Sequence, residues 1–316
     1  MRTPLVSLVL AVKNGLPHLK TAMAAVRRQS YRNFEVVVQD GASADGTLEY
    51  LSTLTDLPAV RLESAHDTGI GQAYNRGLNR CRGELVCFIA SDEQLEDDAL
   101  ERAVGWWSRH SNAVYVSGSV RLIDGNGKVV QLFEPPHFDL LRHLRCETVL
   151  AFAGLLNRSR IGADMRYDEE LGTCPDYEFW IRLGARFAPS DFVAVPDVFK
   201  SATADGTSMT YRPEAYARFC EDKLFALNRF LDAQTPGPLV QAIRTASSAG
   251  ISLWAAESVH QLEGATTRFL GFCERAAALD PWSPRLHALA ERTAAFTIDP
   301  ATGRLASAVG GVRGGR

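Results

Sequence analysis

Gly83–Leu100, GELVCFIASDEQLEDDAL, is the stretch from which the rest of this chain can be read. Glu84–Ala90 has the length and the β-branched and aromatic content of a strand buried on both faces, and it stops abruptly at Ser91-Asp92-Glu93. Asp97 and Asp98 open an amphipathic segment through Ala99, Leu100, Ala103, Val104, Trp106 and Trp107, where a helix N-terminus favours negative charge. That explains Asp97 and Asp98 without any function. Asp92 and Glu93 close a core strand instead, a place suited to hard-cation or proton chemistry.

Upstream, the same alternation of strand and helix occurs three more times. Leu5–Val12 reads as a buried strand, followed by Lys13-Asn14-Gly15 and a helix from Pro17 to about Gln29. Phe34–Gln39 is a second strand ending at Asp40. The turn-rich Gly41–Thr47 follows, with Ser43 or Asp45 placed to cap a helix through Leu48, Tyr50, Leu51 and Leu54. A weaker strand, Ala59–Leu62, leads to Asp67-Thr68-Gly69 and a helix carrying Ile70, Ala73, Tyr74, Gly77 and Leu78. Crossovers of this length allow parallel pairing, so an α/β sheet with helices on both faces is expected. Its strands then point their carboxyl ends to one edge, bringing Lys13-Asn14, Asp40–Asp45, Asp67-Thr68 and Ser91–Glu93 together where open α/β folds bind ligands.

Beyond Trp107 the pattern changes. Ala113–Ile123 and Lys128–Phe133 flank Asp124-Gly-Asn-Gly127, a hairpin signal that predicts an antiparallel addition to the sheet. Glu134–Gly172 is less regular, Asp176–Leu183 reads as a helix start, and Phe192–Val195 as a last strand. Helices are expected over 214–233, 238–262, 265–279 and 283–296. The predicted organisation is an α/β domain over 1–212, a helical region over 213–305, whose amphipathic spacing suits core packing, and a disordered Gly-rich tail over 306–316.

Composition narrows the classes. With 34 Lys and Arg against 37 Asp and Glu, the net charge of −3 carries no field for nucleic acid. Six cysteines without a C-x-x-C pair read as free thiols in a reducing cytoplasm. No apolar run approaches the ~20 residues that span a bilayer, and peripheral attachment at the inner face of the plasma membrane stays open. Gly41-x-x-x-x-Gly46 lacks the P-loop lysine. Gly69-Ile-Gly71 opens a helix but has Tyr74 where a dinucleotide fingerprint has its third glycine, and no H-x-x-x-H pair supports zinc.

Val9–Gly15, Asp40–Thr47, Asn75-Arg-Gly77, Ala90–Glu93 and Pro175–Arg182, in this order, resemble the motifs of glycosyltransferase family 2 over about residues 5–210. The resemblance implies a GT-A fold: a mostly parallel sheet flanked by helices, with an antiparallel addition. It implies an inverting transfer from a nucleotide-diphosphate (NDP) sugar to a hydroxyl of a saccharide or lipid-linked saccharide, as in bacterial cell-surface glycan synthesis. By that resemblance Asp176 is the general base, and Val12, Asn14, Asp40, Asp67, Gly69, Asn75, Ser91 and Asp92 contact the donor. Asp92 and Glu93 would hold Mn²⁺ or Mg²⁺ against the diphosphate. Bland readings stand beside these: a helix dipole for Asp92 and Glu93, an N-cap for Asp176, an Asx turn for Asp40 and, preferred there, for Asp45. Glu178 is the second choice for the base.

Two departures bear on the metal. Glu93 is one methylene longer than the family's Asp, and Lys200–Ser208 lacks the His that family members often carry, leaving Lys200 or Asp205 to substitute. A binding module without turnover and a nucleotidyltransferase are the competing classes.

Overall fold

The computed structural model describes residues 3–57, 59–148, 150, 152–203, 212–299 and 301–307. Strands β1 (Val6–Val12), β2 (Phe34–Asp40), β3 (Val60–Ser64) and β4 (Leu85–Ile89) alternate with helices α1 (His18–Arg27), α2 (Thr47–Ser52) and α3 (Ile70–Arg80). β1 lies between β2 and β4 and β3 flanks β2, all in parallel. Every residue of β1, β2 and β4 is buried, which is why these strands read as unbroken apolar runs. Val6, Leu8 and Leu10 face a core completed by Leu19, Met23 and Val26 of α1. On the other face Val9 meets α3 at Gly77, where a Cβ would stand 2.7 Å from its Cγ1.

The sheet continues with β5 (Glu93–Leu95), α4 (Ala99–Arg109), β6 (Tyr115–Ile123) and β7 (Val129–Phe133). After α5 (Leu140–Leu144) come β8 (Gly154–Asn157), α6 (Arg158–Ile161), α7 (Pro175–Arg186) and β9 (Phe192–Thr203). The strand order is β3-β2-β1-β4-β8-β6-β9-β5, with β7 on β6 as the expected hairpin. Two strands escape the sequence reading. β8 lies in the stretch read as irregular and inserts antiparallel between β4 and β6. Glu93 does not end in a loop but starts β5, antiparallel to β9. β9 itself runs to Thr203, well past the expected Val195.

The chain forms two compact units, Met1–Phe138 with Leu150–Asp205, and Asp139–Val149 with Gly206–Arg316. The second holds α5, which lies in the stretch read as irregular, and the helices expected after Pro213: α8 (Tyr216–Asp232), α9 (Pro238–Glu263), α10 (Thr267–Leu279) and α11 (Pro284–Thr293). It also has a short antiparallel pair, β10 (Phe296–Ile298) with β11 (Leu305–Ser307). Of the tail expected to be disordered, Ala306 and Ser307 lie in β11, and 308–316 lie outside the described residues, as does Asp205. Among the described residues no helix is long and apolar enough to cross a membrane. All six cysteines are free and buried.

One buried carboxylate ties the sheet to the turn after α3. Glu35, 2% exposed on β2, accepts from the Ser7 hydroxyl at 2.6 Å, the Arg82 N–H at 2.6 Å and the Arg61 guanidinium at 2.9 Å. Burial pushes its carboxyl up, but these donors outweigh burial and hold it below the ordinary range. A depressed folded-state pKa stabilises the fold above the unfolded value and stops doing so as pH falls through the folded one. Glu35→Gln is therefore expected to cost about 2 kcal/mol at pH 7. Denaturant titrations should show the gap to the unsubstituted protein closing as pH falls below the ordinary glutamate range.

Candidate active site at the carboxyl ends of the parallel strands

The loops after β1 and β2 are joined by hydrogen bonds rather than left independent. Asn14, in the left-handed region at φ 52°, donates its N–H to Ser43 Oγ at 2.8 Å and accepts from the Ala44 N–H at 2.9 Å. Asp45 accepts from the Leu16 and Thr47 N–H groups, so it is the loop-organising turn residue that the sequence favours. Asp40 is fully buried. Its carboxylate accepts from the Ser43 hydroxyl at 2.5 Å, the Ser43 N–H at 3.1 Å and the Ser64 hydroxyl at 2.6 Å. Asp40 thus fixes the shape of this loop, and the surface it shapes is backbone.

Gly41 lets a third loop close in, since a Cβ there would lie 2.6 Å from Asp67 Oδ2. Asp67 in turn accepts from the Gly69 N–H at 3.1 Å, and Gly69 has φ 149°, which glycine tolerates. Val12, Asn14, Asp40, Asp67 and Gly69 therefore gather at one edge, as expected. Asn75 is turned elsewhere. Buried on α3, it donates to the Tyr167 carbonyl and to Glu169, and accepts from the Tyr167 N–H at 2.7 Å. It clamps the segment leading into α7 rather than facing the strand ends.

After β4 the two acidic residues part company. Ser91 packs against the β1 loop, 3.2 Å from where a Gly15 Cβ would be. Asp92 accepts no side-chain hydrogen bond from the described residues. Burial, then the charge of Glu93, hold its carboxyl above the ordinary range, with Lys200 and His18 pulling it back. Glu93 accepts from the Ala90 N–H at 3.0 Å and from Lys200 Nζ at 2.5 Å, with the two side chains 18% and 4% exposed. The pair is cross-strand: Glu93 stands opposite Ala202, and Lys200 opposite Leu95. This donor set does not fit the divalent cation expected on Asp92 and Glu93, because Glu93 already carries a cation. Among the described residues no three His, Cys, Asp or Glu side chains could share a metal.

Asp176 sits in the first turn of α7, past Cys174 at the N-cap. It is therefore no cap, and its carboxylate takes no hydrogen bond from the described residues. Glu178 is taken, paired with Arg182 through two 3.0 Å contacts. Tyr74 of α3 has its ring edge-on to Phe88 of β4 at 4.7 Å. Burial pushes its phenol far up, and the charges of Glu93, Asp92 and Asp176 push the same way. Three carboxylates from two separate stretches thus act on one hydroxyl that stays protonated.

Residues 7–157 match the family described as glycosyl transferase family 2. Over this stretch the chain is similar to glycosyltransferase family 2. An uncharacterized glycosyltransferase of Rickettsia felis is 26% identical over 198 residues, covering 60% of this chain and 33% of the relative. The chain spans about a third of the length of the first curated relatives it matches. S. aureus TarS 1–349 in complex with UDP-GlcNAc superposes with a TM-score of 0.60 at 17% identity over 96% of each chain. The mannosyltransferase PcManGT from Pyrobaculum calidifontis, in complex with GDP-Man and Mn²⁺, gives 0.55 at 19% identity over 93% of this chain and 81% of that one. These structures share the GT-A fold.

The site holds residues that sequence reading passed over. Ser64 ends β3 and holds Asp40, and no motif marks it. Tyr74 registers in the sequence only as a missing glycine; its contact with Phe88 needs α3 packed on the sheet. Burial pushes the Cys87 thiol up to about 12, so this core cysteine supplies no thiolate nucleophile at neutral pH.

Proposed function

We propose that this domain moves one sugar from an NDP-sugar to a hydroxyl of a saccharide or lipid-linked saccharide, with inversion at the anomeric carbon. What carries the reading is that Asp92 and Asp176, two carboxylates whose charge acts on Tyr74, accept no side-chain hydrogen bond from the described residues, while Glu93 and Glu178 are ion-paired. The loops around Val12, Asn14, Asp40, Asp67 and Gly69 form the nucleotide cradle, and Ser91 and Asp92 border its diphosphate end. Asn75 supports α7 from one step away.

Asp176 takes the proton of the acceptor hydroxyl as that oxygen attacks the anomeric carbon. The bond from that carbon to the diphosphate oxygen breaks, and its electron pair leaves with the NDP. One displacement from the opposite face inverts the centre. UDP-GlcNAc on TarS and GDP-Man on the mannosyltransferase support the donor class. The Mn²⁺ of the latter would have Asp92 alone to bind here. The buried free thiols fit a reducing cytoplasm.

Thermal shift against UDP, GDP, dTDP and their sugars is the test, since ligands that bind the native state raise its melting temperature by mass action. One nucleotide class should stabilise the protein, and the matching sugar donor should release NDP when acceptor glycans are supplied. No stabilisation by any of them, or pyrophosphate release from a nucleoside triphosphate with no NDP from the sugars, overturns the reading.

A further inference from the structure

We infer that the Lys200–Glu93 pair replaces the divalent cation of this site, so that the domain binds its donor diphosphate without metal. The inference rests on the donor reading above. Lys200 projects from β9 and Glu93 from β5, two strands held in antiparallel register, so the cation is mounted on the sheet. Glu93 Oε1 takes Nζ at 2.5 Å and Oε2 takes the Ala90 N–H, which uses both carboxylate oxygens inside the protein. Among the described residues the ammonium has this one hydrogen-bond partner, leaving two of its three donors unassigned.

The charge count follows. A site of Asp92 and Glu93 alone would present two negative charges to a diphosphate and would need a divalent ion between them. With Lys200 the three side chains sum to −1, and on the donor reading the ammonium supplies a fixed positive charge at the diphosphate end of the site. Burial makes that charge effective, because little water screens it. An ammonium is a compact point charge that binds phosphate oxygens well.

The test is calorimetric titration of the full chain with UDP, GDP and dTDP, first in EDTA and then in Mn²⁺. The expected result is that the nucleotide that binds does so in EDTA, with Mn²⁺ changing its Kd less than about threefold. Lys200→Gln, which frees Glu93 beside Asp92, should weaken binding in EDTA at least tenfold and regain affinity on adding Mn²⁺; Lys200→Arg, which keeps the charge, should bind in EDTA. Binding by the unsubstituted protein in Mn²⁺ but not in EDTA overturns the inference and leaves the donor reading standing. No binding in either condition overturns both. If Lys200→Gln fails to fold, the comparison of EDTA with Mn²⁺ on the unsubstituted protein decides alone.

Discussion

Asp176→Asn is expected to lower glycosyl transfer by roughly 10²- to 10⁴-fold, the range a positioned general base contributes. The amide keeps the volume and cannot take the acceptor's proton. Because Asp176 makes no hydrogen bond to the described residues and is not the N-cap of α7, the substitution should leave the melting temperature within about 1 °C. Nucleotide affinity should also hold, since the cradle is built from the loops after β1, β2 and β3. A fall in turnover with unchanged nucleotide Kd is the signature, read by NDP release and calorimetry on one preparation. Glu178→Gln serves as the control: it breaks the Arg182 pair and should show itself in stability before rate. If Asp176→Asn kept full turnover, the base would have to be sought elsewhere.

Trp180→Ala is expected to lower stability by about 3–5 kcal/mol, as truncating a buried aromatic does. Trp180 is 1% exposed and packs against Tyr115 of β6 and Phe152, each with ring centroids 4.9 Å away. It faces Phe192 of β9 as well, at 6.3 Å. It is the side chain that seats α7 on the sheet, and α7 carries Asp176. A melting-temperature drop of roughly 6–20 °C is expected, with transfer falling further than nucleotide binding because the base moves and the cradle does not. Trp180→Phe should cost less than about 1.5 kcal/mol, since the indole N–H it removes is buried without a partner among the described residues. Equal losses from both substitutions would show that the ring stack does not hold the helix.

The parallel half of the sheet was legible because its chemistry is local. Apolar runs of strand length, each ending in Gly, Asn or Asp, mark β1, β2 and β4 whatever they pair with. β8 was not legible: Gly154–Asn157 is four residues long in a stretch containing Pro135-Pro136 and several arginines. It becomes a strand only because β4 and β6 offer it two edges. Gly154 shows the dependence, as a Cβ there would stand 1.8 Å from the Val116 carbonyl oxygen. β5 escaped for the same reason, since three residues form a strand only once β9 lies beside them.

For the site, sequence alone placed Asn14, Asp40, Asp67, Ser91 and Asp92 at one edge, because parallel strands point their carboxyl ends the same way. It also gave Asp45 its turn role from short-range hydrogen bonding. Tertiary structure decided which carboxylates keep their charge free. Glu93 looks as available in the sequence as Asp92, but Lys200, 107 residues away, neutralises it; the Glu178–Arg182 pair, one helical turn apart, is local by contrast. A carboxylate's reactivity depends on what lies within a few ångströms of it, and spacing along the chain does not report that distance once strands from far-apart segments are paired.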